Sequence, residues 1–105
     1  MEMNELFEFV EAEHKRLTKY YNSEEDLNKK YRMFAKLIEE TGELSEAILA
    51  SDAFQRKEKL ESFNEKLEHE FADVVICALI LSKEMNVDMK KALKEKIEKI
   101  KKRKY

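Results

Sequence analysis

Glu40 and Glu43 form one pair of acids three residues apart, and Glu70 and Asp73 form another. Residues at that spacing project from one face of a helix. Both pairs border apolar positions, Glu40 between Leu37 and Leu44 and Glu70 beside Val74. If the two helices run antiparallel as neighbours, the pairs can face each other. Four carboxylates at a half-buried seam repel and lose hydration. Either some are protonated or a multivalent cation lies among them. An all-oxygen ligand set selects a hard ion, Mg²⁺ or Mn²⁺. The competing reading is of solvated edge residues paired with Lys36 or Lys66. Two such pairs flanking the core favour the metal. Gly42, the one glycine in the chain, stands between Glu40 and Glu43. A glycine inside a helix costs about 1 kcal/mol relative to alanine, so its place calls for a close helix contact, room for a ligand, or both.

Other residues with chemical potential are weaker candidates. Lys96, Lys99 and Arg103 recur at a spacing that shares one helical face; they suit an anionic ligand, or simply a solvated lysine face. Glu11 and His14 make one Glu-x-x-His unit, but di-iron bundles need two, and His69 has Lys66 three residues before it. His14 therefore reads as a satisfied, partly buried histidine and His69 as a surface residue. Phe7, Tyr20, Tyr21, Tyr31 and Phe34 are aromatic by type, and at helical spacing read as core before ligand platform. Cys77 has no partner for a disulfide within the chain and lies in an apolar run, which predicts a packed thiol in a reducing compartment.

The elements that must position these groups are helices. Met3, Phe7, Val10, His14, Leu17 and Tyr21, widened by Leu6, recur at steps of three and four and predict a helix over about residues 2–21. Ser23 followed by Glu24, Glu25 and Asp26 reads as an N-cap with acids in the first turn. The next stripe, Leu27, Tyr31, Phe34, Ile38, Thr41, Ser45 and Ile48, flanked by Leu37 and Leu44, predicts a helix over about 24–50. Residues 51–59 read as a loop. Leu60, Phe63, Leu67, Phe71, Val74, Ala78, Leu81 and Met85 mark a third helix, apolar all round between Val74 and Leu81 and so expected at the centre of the structure. Asn86-Val87-Asp88 reads as a turn with Asp88 as N-cap. The last helix is expected to bury Met89, Leu93, Ile97 and Ile100 and expose its lysines. The fold class is all-α, an antiparallel four-helix bundle in a single domain over residues 1–105.

Composition supports this and removes alternatives. Of the 105 residues, 42% are charged and 43% apolar, there is no proline, and there is a single glycine. An all-β barrel needs many turns and a phosphate-cradling loop needs glycines, so neither fits. A bundle this small has a limited core, which predicts self-association. The longest apolar run, Val74 to Leu81, is far shorter than the roughly 20 residues that span a bilayer. The N-terminus opens on Glu2, Glu5 and Glu8 with no basic segment, so no secretory signal is expected and the protein is placed in the cytoplasm. Residues 90–105 hold eight Lys, one Arg and two Glu, net +7, against −9 for the rest. That acidic body argues against nucleic-acid binding.

Glu39-Glu40-Thr41-Gly42-Glu43-Leu44-Ser45-Glu46, followed after 26 residues beyond Glu43 by Glu70-Phe71-Ala72-Asp73-Val74, resembles the EExxE…ExxD signature of the MazG-like, all-α nucleoside triphosphate pyrophosphohydrolases. The resemblance runs over about residues 34–105, through Asn86-Val87-Asp88-Met89 and into Lys96, Lys99, Arg103 and Tyr105. It implies a four-helix core completed by dimerisation, as a homodimer or homotetramer. It also implies Mg²⁺-dependent hydrolysis of a nucleoside triphosphate to the monophosphate and pyrophosphate. On this resemblance Glu40, Glu43, Glu70 and Asp73 are metal ligands, Glu39 an auxiliary acid near the attacking water, and Lys96, Lys99 and Arg103 phosphate contacts. The chain departs from the family at Ile100, where many members carry an Asn, and in having no Trp to stack the base. The competing function is a non-catalytic helical oligomerisation module, in which the carboxylates are dispensable.

Overall fold

In the computed structural model, residues 1–21, 28–51 and 57–105 are described, with the side chains of 57–60 excepted. The helices are α1 (Met3–Tyr20), α2 (Lys29–Leu49), α3 (Lys57–Glu84) and α4 (Met89–Lys101), and the described residues contain no strand. The expected Ser23 cap, Leu27 and Phe54 lie outside the described residues.

The pairings along the chain fix the topology. Met33 packs with Leu79 and Ile80, while Lys29 meets Glu84 at 3.0 Å and Glu40 lies with Glu70 and Asp73. As α2 ascends in number its partners on α3 descend, so the two are antiparallel. Val10 of α1 joins the same core, and His14 reaches Glu84 at 2.8 Å, so α1 packs against the C-terminal half of α3. A small polar network pins the three helices together. The buried Lys29 ammonium bonds Glu84 and donates to Thr18 Oγ1 at 3.3 Å, and the Thr18 hydroxyl donates to the His14 carbonyl at 2.9 Å. As expected of it, His14 is partly buried and partnered.

Two residues end α3 and start α4. Asn86 takes the left-handed conformation, φ 58°, which Asn tolerates better than most residues. The Val87 amide donates to the Ser82 carbonyl and the Asn86 amide to the Lys83 carbonyl, a Schellman ending. The Asp88 carboxylate then accepts from the Lys91 amide at 3.2 Å, capping α4 as its sequence position predicts.

The packed faces differ from the predicted stripes. On α2 the buried positions are Lys29, Met33, Glu40 and Ala47, with Leu37 and Leu44 half-buried. Tyr31, Phe34, Ile38 and Ile48, which carried the expected stripe, are exposed. On α3, Phe63, Glu70, Leu79 and Ile80 are buried, whereas Phe71 and Val75, and Met85 just beyond its end, are open. The run from Val74 to Leu81 is therefore covered on one side only. Nor does α4 bury its stripe: Met89 is half-buried, but Leu93, Ile97 and Ile100 are 40–49% exposed. The reason is common to all three. The helix α4 leans on the N-terminal end of α1, where Lys90 bonds Asn4 at 2.8 Å and stands over the Phe7 ring, and does not cover α2 or α3. The radius of gyration is 16.8 Å, against about 13 Å for a compact chain of this length. A three-helix body with one outlying helix is what a single chain achieves.

Candidate active site

Rotating α2 onto its actual packed face carries Glu40 inward with it. Glu40 and Glu70 are buried, at 7% and 8% exposure, and Asp73 is exposed beside them. One carboxylate oxygen from each of Glu40, Glu70 and Asp73 can be drawn from atoms within 4.8 Å of one another, and the same holds for Glu39, Glu40 and Glu43. Glu40 belongs to both groups. The acids expected to act together are thus brought together as two triads hinged on one residue, with Glu39 inside the second.

Charge compensation at this seam is incomplete. The Lys36 ammonium lies 3.2 Å from Glu40 Oε1 and 3.5 Å from Glu39 Oε1. Its hydrogen bond to Glu40, opposed by partial desolvation and helped by the Glu39 charge, raises the Lys36 pKa. So the competing reading, in which Lys36 pairs with these acids, holds for Glu40 Oε1, with Glu39 Oε1 beside it. Glu40 Oε2 and Glu70 Oε2 are both shut off from solvent and have no hydrogen-bond partner among the described residues. A buried carboxylate oxygen left without a partner is costly. The neighbouring charge of Glu40, then lost hydration, then Glu70, push the Glu43 carboxyl above its ordinary range. A hard divalent cation takes carboxylate oxygens of this kind, and the all-oxygen donor set of either triad fits Mg²⁺.

Gly42 is exposed, and a Cβ placed there meets nothing within 4 Å. No close helix contact at Gly42 is therefore present among the described residues, and since Gly42 lies about 160° round α2 from the buried Glu40, it does not make room beside that carboxylate either.

A cavity of about 340 Å³ begins at these acids. Glu40 and Asp73 line it, and its wall is largely apolar: Phe9 and Leu17 of α1, Met33 of α2, and Ile76, Cys77 and Ile80 of α3. Burial first, and then the charge of Glu40, push the Cys77 thiol up, so it is a packed thiol on a cavity wall. Of the aromatic candidates only Tyr21 lines this cavity; Tyr31 and Phe34 face out on the far side of α2, and Tyr20 is exposed. Sequence reasoning gave no role to three polar or aromatic liners, Phe9, Glu13 and Arg16. A signal existed: Phe9, Glu13 and Leu17 are spaced four apart on α1, and Arg16 is three residues after Glu13.

Lys96, Lys99 and Arg103 are exposed on or just beyond α4. Among the described residues, none lines the cavity shared by Glu40 and Asp73. His69 is exposed, as expected. No described helix is long and apolar enough to cross a membrane.

No curated protein and no solved structure is significantly similar to the chain. The family model of the MazG nucleotide pyrophosphohydrolase domain matches residues 28–105, which takes in α2, α3, α4 and every acid of the seam, and the chain belongs to that family.

Proposed function

We propose that residues 1–105 act as one domain that hydrolyses a nucleoside triphosphate, ribo- or deoxyribo-, to the monophosphate and pyrophosphate, with Mg²⁺ as cofactor and Mn²⁺ as its substitute. The observation that carries this reading is the pair of buried, unpartnered oxygens on Glu40 and Glu70, at one end of a cavity lined by Glu40 and Asp73. Glu40, Glu43, Glu70 and Asp73 would hold the ion, which when bound neutralises phosphate charge and polarises the α-phosphorus.

The remaining work falls to the chain's own side chains. The apolar wall of the cavity takes the base and excludes water. Glu39, exposed and adjacent to Glu40, accepts the proton of the attacking water. The water oxygen bonds to the α-phosphorus as the bond to the α–β bridging oxygen breaks, and pyrophosphate leaves with that oxygen. Lys36, already at the seam, supports the phosphate charge. Lys96, Lys99 and Arg103 receive the pyrophosphate, and their position on outlying α4 makes a second subunit their source. A homodimer or homotetramer also covers Tyr31, Phe34, Ile38, Phe71 and Val75, which a lone chain leaves exposed. The cytoplasm, whose reducing conditions suit the free Cys77 thiol, is the compartment.

The test is to incubate the protein with nucleoside triphosphates and Mg²⁺ and to measure monophosphate and pyrophosphate separately. Pyrophosphate release, abolished by EDTA and by Glu43→Gln or Asp73→Asn, is expected. Orthophosphate without pyrophosphate would mean a different phosphohydrolase. No turnover with no Mg²⁺-induced rise in Tm would leave the oligomerisation module instead.

A further inference from the structure

Glu13 is a second inward carboxylate that the metal seam does not use. Its side chain is only 15% exposed although it belongs to a helix that is otherwise polar on its outer side. It lines the cavity described above, on the wall opposite α2 and α3. The Arg16 guanidinium donates to Glu13 Oε1 at 2.9 Å, while Arg16 itself is 78% exposed. Arg16 therefore holds the carboxylate from the solvent side, and Glu13 faces the cavity. An ionised carboxylate has about four acceptor sites, and one arginine contact leaves most of that capacity to whatever enters.

Along α2 and α3 the cavity runs from Glu40 and Asp73 towards Met33 and Ile80. Seven residues of helix rise about 10 Å, so the wall beyond the acids is long enough to hold more than a phosphate. We propose that Glu13 reads the hydrogen-bonding edge of the base, and that the substrate's base carries an exocyclic amino group: guanine, cytosine or adenine, not uracil or thymine. The inference rests on the nucleotide reading above. Guanine offers a carboxylate two adjacent N–H donors; cytosine and adenine offer their amino groups. Uracil and thymine offer a single ring N–H flanked by two carbonyl oxygens, which the carboxylate repels. In an apolar-walled cavity, a polar group left unpaired is penalised far more than in water.

The experiment compares kcat/KM for dGTP, dCTP and dATP with that for dUTP and dTTP, in the wild type and in Glu13→Gln. In parallel, the Mg²⁺-loaded proteins are titrated with dGMP, dCMP and dUMP by calorimetry, and the Tm of each protein checks folding. The wild type should favour at least one amino-bearing base over dUTP by at least about tenfold. The Gln variant should lose about tenfold on that base while keeping dUTP within about twofold. An equal fall on every nucleotide would make Glu13 a structural residue and overturn the proposal, as would a wild type without preference; pyrophosphate release would stand in both cases. If no triphosphate is hydrolysed but the amino-bearing monophosphates bind in preference and Glu13→Gln erases that preference, the hydrolase reading fails and base reading by Glu13 survives. No hydrolysis of any triphosphate together with no binding of any of the three monophosphates overturns both.

Discussion

Glu40 on α2 and Glu70 on α3 each bury one carboxylate oxygen, Oε2, that bonds to nothing among the described residues, and the two side chains converge within one ligand-sized group of acids. The metal-free protein bears the cost of this arrangement. Glu40→Gln or Glu70→Gln removes a buried charge and leaves a group able to donate to its neighbour. Each should stabilise the metal-free protein by on the order of 1 kcal/mol, about 5 °C in Tm for a chain of this size. The wild type should gain more than this on saturation with Mg²⁺, about 2.7 kcal/mol at a hundredfold excess over Kd. The variants should lose that gain. Melting curves with Mg²⁺ and with EDTA check both signs; Gln variants that melt below the wild type in EDTA would show the carboxylates to be satisfied by something else.

Gly42 gives a handle on α2 that is independent of the seam. Among the described residues nothing lies within 4 Å of a Cβ built there, so alanine costs no packing against them. Gly42→Ala should raise stability by about 1 kcal/mol, the difference in helix propensity. Because Gly42 lies about 160° round α2 from the buried Glu40, the added methyl points away from the seam and kcat/KM should hold as Tm rises. Urea unfolding and initial rates on one preparation test the pair. A fall in rate alongside the gain in stability would show that a ligand or a second subunit reaches the outer side of α2 at Gly42.

The polar network under α1 predicts a pH dependence. Burial pushes the Glu84 carboxyl up, but hydrogen bonds from His14 and Lys29, reinforced by their charges, outweigh it and hold Glu84 below its ordinary 4.5. A depressed carboxylate adds stability that is fully present above its unfolded pKa and is lost as pH falls through the folded value. Glu84→Gln should therefore cost about 3 kcal/mol at neutral pH, because it leaves the buried Lys29 ammonium without its counter-charge. The gap between wild type and variant should narrow as pH drops below 4.5. Denaturant unfolding at neutral and acid pH measures it; a gap independent of pH would assign the cost to packing.

Helix number, the Asn86–Asp88 junction and the acidic seam were legible because each rests on local chemistry: a period, a cap, a pair of acids one turn apart. Which face of α2 packs was not. That helix is apolar on two sides, Met33, Leu37, Leu44 and Ala47 on one and Tyr31, Phe34, Ile38 and Ile48 on the other. Periodicity picks the stronger stripe, whereas the chain packs the smaller residues inward and brings Glu40 in among them. Glu13 was missed for a related reason. Its spacing of four from Phe9 and Leu17 was there to read, but the stronger stripe of Met3, Phe7, Val10 and His14 marks a neighbouring face of α1 and draws the reading to it. The lysines of α4 are legible as a face, but the sequence does not say which chain they serve.

The unused stripe carries the last prediction. Tyr31 and Phe34 line a shallow apolar cavity of about 530 Å³ with Leu81 and Met85, so the open sides of α2 and α3 meet in one surface. Phe34 is 51% and Met85 56% exposed; apolar groups gathered at such a surface are stabilised by burial at roughly 25 cal/mol per Å². A second copy of the chain brings the same surface, and a two-fold contact pairs it with itself. In sedimentation the protein should run at a mass at least twice its 12.6 kDa. Phe34→Glu puts a charge at the centre of that contact without touching the packed face of α2, and should shift the protein to a monomer with its helical content retained. If Lys96, Lys99 and Arg103 serve a neighbouring site, the Phe34→Glu monomer should also lose turnover while still binding Mg²⁺. A Phe34→Glu protein that stays oligomeric would move the interface to α4 and its exposed Leu93, Ile97 and Ile100.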